Sequence, residues 1–201
     1  MKPNGLTLFI LSVLLFCMTS LAIAASKKDL QENILYPRVK FETSLGDFTV
    51  ELDRRKAPLT VNRFLTLVVE GEYEGTIFHR LIPGFVAQAG GYDKNYEGLP
   101  VHEPIHNESG NGLKNSYGSL AMARMNDPHS ATRQFYFNLG DNKHLDPGKN
   151  WGYTVFGEIE ENFEVLEKLE ELPTDFNKEL NQPNVPVQQV VIKRITLLPP
   201  L

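Results

Sequence analysis

Apolar residues in this chain recur with period two in many short runs, and with a helical period in only two stretches. Val39, Phe41 and Thr43 fall on one side of a run, Gly46-Asp47 breaks it, and Phe48, Val50 and Leu52 fall on one side of the next. That alternation around Ser44-Leu45-Gly46-Asp47 predicts a β-hairpin. Over residues 58–70 the period switches: Val61, Phe64, Leu65 and Val68 line one face of a helix, with Pro58 at its entrance and Gly71 at its exit. Short apolar runs then return at Ile77-Phe78, Phe85–Ala89, Ser119–Ala123, Gln134–Leu139 and Thr154–Phe156, separated by Gly, Asn, Asp and Pro. A second helix is predicted over 162–172, with Asn162 as its cap, Val165, Leu166, Leu169 and Leu172 on one face, and Pro173 as its stop. Val187–Leu197 reads as a last strand. Many short strands with two amphipathic helices predict a closed or nearly closed antiparallel sheet, because closure removes exposed edges. The open ends of such a barrel offer each helix an apolar surface.

At 201 residues, 41% hydrophobic, the chain suits one domain with a real core. A formal charge of -5 and the lack of a basic stripe argue against nucleic acid as partner. The N-terminus has a different character. Lys2 precedes the apolar run Leu6–Leu15, apolar character continues to Ala24, and Ala22-Ile23-Ala24 offers the small-x-small pattern of a signal peptidase site. Residues 1–24 are therefore read as a cleaved signal peptide, 25–37 as a polar leader tail and 38–198 as the domain. The competing reading is an uncleaved anchor, but Thr7, Ser12, Thr19 and Ser20 dilute the run. Lipidation at Cys17 is disfavoured by the bulk of Phe16. Cys17 is the only cysteine, so cleavage after Ala24 leaves no disulfide, thiol nucleophile or thiolate metal site. The expected location is periplasmic, with secretion as the alternative and no stable membrane contact after cleavage.

Four ordered blocks resemble the cyclophilin family. They are Thr76–Tyr92, which contains FHRLIPGFVAQAGG; Gly118–Arg124; Ser130–Asn138; and Leu145-Asp146 followed by Gly152–Gly157. The Ala-Met-Ala-Arg and Gly-Tyr-x-Val-Phe runs look like bacterial members. The resemblance spans roughly residues 38–198. It implies a mainly β fold, a closed eight-stranded antiparallel β-barrel capped by two α-helices. It also implies a peptidyl-prolyl cis/trans isomerase with a shallow outer groove for proline-containing polypeptide clients. Cofactors and metal are not implied, and a monomer is expected.

Isomerisation of an X-Pro bond breaks no covalent bond; its obstacle is a rotational barrier of about 18–20 kcal/mol. A catalyst must favour the twisted amide, whose nitrogen regains its lone pair, over both planar forms. A fixed cation aimed at that nitrogen or at the neighbouring carbonyl does so, and the planar, always-charged guanidinium suits the task. By resemblance Arg80 is this catalytic residue. Phe85, Val86, Tyr136, Leu145 and Tyr153 match positions around the proline pocket. Gln88 and Gln134 match residues that bond the substrate backbone or orient the arginine, Ala123 and Arg124 match the groove floor, and His79 joins the substrate-binding set. Alternation sends Gln134 and Tyr136 to one face and Phe135 to the other, so Phe135 is assigned to the core.

Some positions depart from the family pattern. Tyr136 stands where phenylalanine is usual, and its hydroxyl needs a partner at the pocket floor or else narrows it. His144 stands where cyclosporin-sensitive members carry tryptophan, which predicts weak cyclosporin binding. Arg124 replaces an asparagine common in eukaryotic members and predicts a preference for acidic residues beside the proline. His102 and His106 lie four apart, but Pro104 argues against the helix that would make them a metal pair. Asn107-Glu108-Ser109 fits a glycosylation acceptor pattern that a bacterial source would leave idle. Two alternatives to an active isomerase stand: a proline-peptide-binding chaperone or scaffold with low turnover, and a barrel holding a small apolar ligand internally.

Overall fold

The computed structural model describes residues 30–149 and 151–201. The signal-peptide reading, Cys17 and the first residues of the leader tail lie outside the described residues. The first hairpin forms as its alternation predicts: β1 (Arg38–Thr43) pairs with β2 (Asp47–Leu52) in a register that sets Phe41 opposite Phe48. Their rings stack with centroids 4.8 Å apart. Helix α1 (Pro58–Val69) buries Val61, Phe64, Leu65 and Val68. Its entrance is capped from a distance. The Glu108 carboxylate accepts the N–H groups of Leu59 (3.1 Å) and Thr60 (2.9 Å), placing negative charge at the positive end of the helix.

The chain continues through β3 (Thr76–Ile82), β4 (Val86–Asp93), β5 (Ser119–Met122), β6 (Phe135–Asn138) and β7 (Val155–Glu161). Helix α2 spans Glu164–Glu170 and buries Val165, Leu166 and Leu169. It is shorter than 162–172, and Asn162 is not its cap. That residue takes a left-handed φ of 66° and bonds Asp47 O instead (3.2 Å). A hairpin of β8 (Thr174–Asn177) and β9 (Gln182–Pro186) follows, then β10 (Ile192–Leu197).

Eight strands form one antiparallel sheet in the order β10-β1-β2-β7-β5-β6-β4-β3. Its two end strands, β3 and β10, come together without a full ladder. Ile77 and Val191 form a single bridge, and the N–H groups of Phe78 and Gly75 bond the carbonyls of Val190 (3.0 Å) and Ile192 (2.8 Å). The barrel is thus nearly closed, as the pattern allowed, where the resemblance implied full closure. The physical reason lies in residues 187–190, which bend and run irregularly instead of pairing; the last strand begins at Ile192 and not at Val187. The β8–β9 hairpin, which the sequence pattern did not reveal, packs beside β3 near this seam.

The interior is filled by the protein's own rings. Phe64 meets Phe135 edge to face at 5.6 Å, and Phe41 meets Phe137 at 5.5 Å. Phe41, Phe64, Phe78, Phe135 and Phe137 are all buried. This leaves no support for an internal ligand site. The described end of the leader is held against the domain. Arg54, itself buried, donates to the carbonyls of Leu30 (2.7 Å), Gln31 (2.5 Å) and Ile34 (2.5 Å), and Leu30 packs on the core. Among the described residues no helix is long and apolar enough to cross a membrane.

Candidate active site

Side chains that alternate away from the core build a second, smaller apolar cluster on the outside of the sheet. Val86 from β4, Ala121 from β5 and Tyr136 from β6 form it with Val155, and Phe85, Ala123, Leu145 and Tyr153 pack around them. A cavity of about 230 Å³ opens over this cluster. Its apolar part is lined by Phe85, Val86, Ala123, Tyr136, Leu145 and Tyr153, and its polar part by Arg80, Gln88 and Arg124. Nine of the eleven residues singled out from the sequence therefore meet around one opening. That opening carries two arginines and no carboxylate.

Arg80 comes from β3 and sits opposite Gln88 of β4 in the pairing register. The turn between these strands, Pro83-Gly84, gives Gly84 a φ of 69° and brings Phe85 back beside Arg80. The Arg80 guanidinium carbon lies 5.7 Å from the centre of the Phe85 ring, within cation–π range. Among the described residues it forms no ion pair or side-chain hydrogen bond. Its donors are thus available to something in the groove.

Gln134 does not line the cavity. It lies behind Gln88, whose Nε2 donates to Gln134 Oε1 at 2.8 Å, so it orients a groove residue. Its side chain lies directly over Gly91, where an added Cβ would sit 2.4 Å from Gln134 Nε2. Gly91→Ala is therefore expected to push Gln134 aside, release Gln88 and lower kcat/KM by about threefold to tenfold, the loss of one part-buried hydrogen bond. Steady-state kinetics on folded variant checks this; an unchanged kcat/KM would show that the pair does not matter.

His79 also stays outside the lining. The strand sends it away from Arg80, its ring packs on Tyr92 at 4.8 Å, and it is 3% exposed. A direct substrate contact for His79 is thus not what this placement offers. Burial, helped by the charge of Arg80, pushes its imidazole down to about 4, against the opposing effect of the Ile77 carbonyl and Gln134. It stays neutral across the physiological range.

Tyr136 solves the problem of its hydroxyl by reaching past the pocket. The hydroxyl donates to Asn115 Oδ1 at 2.8 Å, and Asn115 is buried and does not line the cavity. Only the ring faces the groove. Burial raises the phenol well above its ordinary range, so it remains a neutral donor. Phe135, as alternation predicts, points the other way into the core.

Arg124 is more occupied than its position suggests. It donates to the carbonyls of Gly152 (3.3 Å), Met125 (2.9 Å), Asn126 (3.4 Å) and Trp151 (3.2 Å), and stacks on Tyr153 at 4.5 Å. Its charge remains beside the groove, but most of its N–H groups hold loops. His144 lies over Phe85 with ring centroids 5.5 Å apart and a 22° interplanar angle. His102 and His106 diverge: His102 approaches Glu72 at 3.7 Å, and His106 packs against His129. The Asn107 side chain donates to Pro128 O and Gly152 O and accepts from Ser109 N–H, so it is engaged within the fold.

Sequence reasoning passed over Asn115, Asn138 and Asn142, which lie buried behind the groove. Polar residues carry no periodic signal of burial, and only the cost of burying an amide unpaired could have pointed to them.

Comparison with known proteins agrees with this geometry. A family model described as cyclophilin type peptidyl-prolyl cis-trans isomerase/CLD matches residues 38–197. Peptidyl-prolyl cis-trans isomerase cyp18 of Streptomyces antibioticus is 42% identical over 164 residues, covering 80% of this chain and 98% of that protein. Peptidyl-prolyl cis-trans isomerase B of Escherichia coli K12 is 42% identical over 163 residues, covering 79% and 98%. Among solved structures, a cyclophilin type peptidyl-prolyl cis-trans isomerase of Cryptosporidium parvum superposes with a TM-score of 0.68 at 27% identity, covering 83% of this chain and 99% of that one. The same protein in the presence of the dipeptide Ala-Pro gives a TM-score of 0.67. With its fold and its sequence both matching one group, this chain belongs to the cyclophilin-type peptidyl-prolyl cis-trans isomerases.

Proposed function

We propose that the groove beside Arg80 binds proline-containing segments of unfolded or partly folded polypeptides, and that Arg80 accelerates rotation about their X-Pro bonds. The observation that carries this reading is the guanidinium of Arg80, unpaired among the described residues, at the edge of a cavity whose apolar part is sized for a small ring. Phe85, Val86, Tyr136 and Leu145 supply the apolar seat for the proline ring. Gln88, held by Gln134, is placed to bond the substrate backbone. With the ring seated, the rest of the chain rotates, and the amide nitrogen turns pyramidal within reach of the arginine. A fixed cation stabilises that nitrogen more than either planar amide, which is the condition for a faster rate. The reaction needs no proton transfer. That the relative was also solved in the presence of the dipeptide Ala-Pro is in keeping with such a substrate. A pocket narrowed by the Tyr136 hydroxyl would favour a slow binding scaffold, but that hydroxyl is turned away from the cavity.

The clients are proposed to be exported proteins. The support is the Lys2 n-region, the apolar run Leu6–Leu15 and the Ala22-Ile23-Ala24 pattern, together with the lack of cysteine beyond Cys17. Full-length chain produced in a bacterial host is expected in the periplasmic fraction with its mass reduced to that of residues 25–201. Full-length protein retained in the cytoplasm or the membrane would contradict the export reading.

Weak inhibition by cyclosporin is a further expected result. The ring that faces Phe85 is the small, polar imidazole of His144 and not an indole. Inhibition constants above the micromolar level are expected for the wild type, with tighter binding in His144→Trp. Submicromolar inhibition of the wild type would refute it.

A further inference from the structure

We propose that Asn115, Asn138 and Asn142 are positioning residues, a single buried chain of amides that locks the floor and two walls of the groove against one another. This rests on the reading of the groove as the isomerase site. The three side chains are 2%, 0% and 4% exposed. The Tyr136 hydroxyl donates to Asn115 Oδ1 at 2.8 Å, and Asn138 Nδ2 approaches the same oxygen at 3.3 Å. Asn138 Nδ2 also donates to Ser119 Oγ at 2.9 Å. Asn142 Nδ2 donates to Asn138 Oδ1 at 2.7 Å and to the Phe85 carbonyl at 2.8 Å. The Asn142 carbonyl accepts the N–H of Leu145 at 2.8 Å. Asp146 Oδ1, next in the chain after Leu145, accepts both the backbone N–H (2.8 Å) and Nδ2 (3.2 Å) of Asn115. The path therefore touches Phe85 on one side of the pocket, Tyr136 at its floor and Leu145 on the other side, then returns to Asn115.

A buried amide is costly unless fully paired, and aliphatic side chains could fill the same space. Every side-chain N and O atom of Asn115 and Asn138 has a partner, and Asn142 Nδ2 has two. Directional bonds fix distances that apolar packing leaves soft. What they fix here is the spacing between Phe85, Tyr136 and Leu145, the seat that must hold a proline ring still while the chain beyond it rotates. A seat fixed in advance costs nothing to organise in the transition state. Asp146 anchors the loop end of the path. Bonds from Asn115 and the charge of Lys114 hold its carboxyl below the usual range despite the opposing effect of burial, so it stays an acceptor at neutral pH.

The test is a double-mutant cycle with Asn115→Ala, Tyr136→Phe and the pair, assayed for proline isomerisation well below each melting temperature. Asn115→Ala is expected to lower kcat/KM by about tenfold, mainly through kcat. In the Tyr136→Phe background, where no hydroxyl needs a partner, the same change should cost less than half as many fold. Asn142→Ala, which frees the Phe85 carbonyl from the path, is the second variant and is expected to lower kcat with little change in KM. Folded variants that melt earlier but keep wild-type kcat and KM would make the asparagines structural only and overturn the proposal. A wild type without isomerase activity would overturn the reading of the groove, and this proposal with it.

Discussion

Arg80→Ala is expected to lower kcat/KM for an X-Pro peptide by about two to three orders of magnitude, the usual loss when one preorganised donor to a transition state is removed. The guanidinium is partly exposed and has no protein partner among the described residues, so its loss orphans no buried group. The melting temperature should shift by no more than a few degrees, because surface substitutions of this kind change stability by about 0.5 kcal/mol or less. Arg80→Lys should recover only part of the rate. An ammonium keeps the charge but lacks the planar fork and its contact with Phe85. The loss should fall on kcat, since Phe85, Val86, Tyr136 and Leu145 still seat the ring. A comparable fall in stability would mean that Arg80 does structural work instead.

The second large effect concerns acid. His79 is 3% exposed, and its folded-state pKa is near 4, while an unfolded histidine titrates near 6.5. Between these values the unfolded chain binds a proton that the folded protein refuses. Stability from this group is therefore complete above about pH 6.5 and is lost as pH falls toward 4, by about 3 kcal/mol in all. Urea unfolding of wild type and His79→Phe at steps from pH 7.5 to 4 isolates the effect, because other groups titrate in both. The wild type is expected to lose about 3 kcal/mol more than the variant across the range. Parallel curves would show that His79 is protonated without cost in the fold. The proposed reaction transfers no proton, so activity should follow the folded fraction over the same range.

What could be read in advance were features with a local or periodic signature. Alternation placed β1 and β2, and it sent Phe135 to the core and Tyr136 to the outer face. Helical spacing placed α1 and the buried face of α2. The groove residues were legible through resemblance, since Arg80, Phe85, Tyr136 and Leu145 come from distant segments that only the folded sheet brings together. The seam between β3 and β10 was not legible, because it depends on how 187–190 bends past the β8–β9 hairpin. That hairpin is largely polar, turns at Asn181 and carries Asn184 within β9, both at positive φ, so it lacked the apolar alternation of the other strands. Arg54 and the three asparagines escaped notice for a common reason. Their burial is set by partners distant in the chain, and polar side chains look like surface until those partners are known.

The central claim is that the groove turns its substrate over and does not merely hold it. Exchange NMR on an Ala-Pro peptide measures both properties in one sample, binding from shift changes and rotation from cis–trans exchange. The uncatalysed exchange takes tens of seconds or longer. With a catalytic amount of wild type, exchange on the sub-second scale is expected. With Arg80→Ala, a peptide affinity within a few fold of wild type and exchange close to the uncatalysed rate are expected. Binding by the wild type without faster exchange, or exchange by Arg80→Ala at the wild-type rate, would contradict that claim.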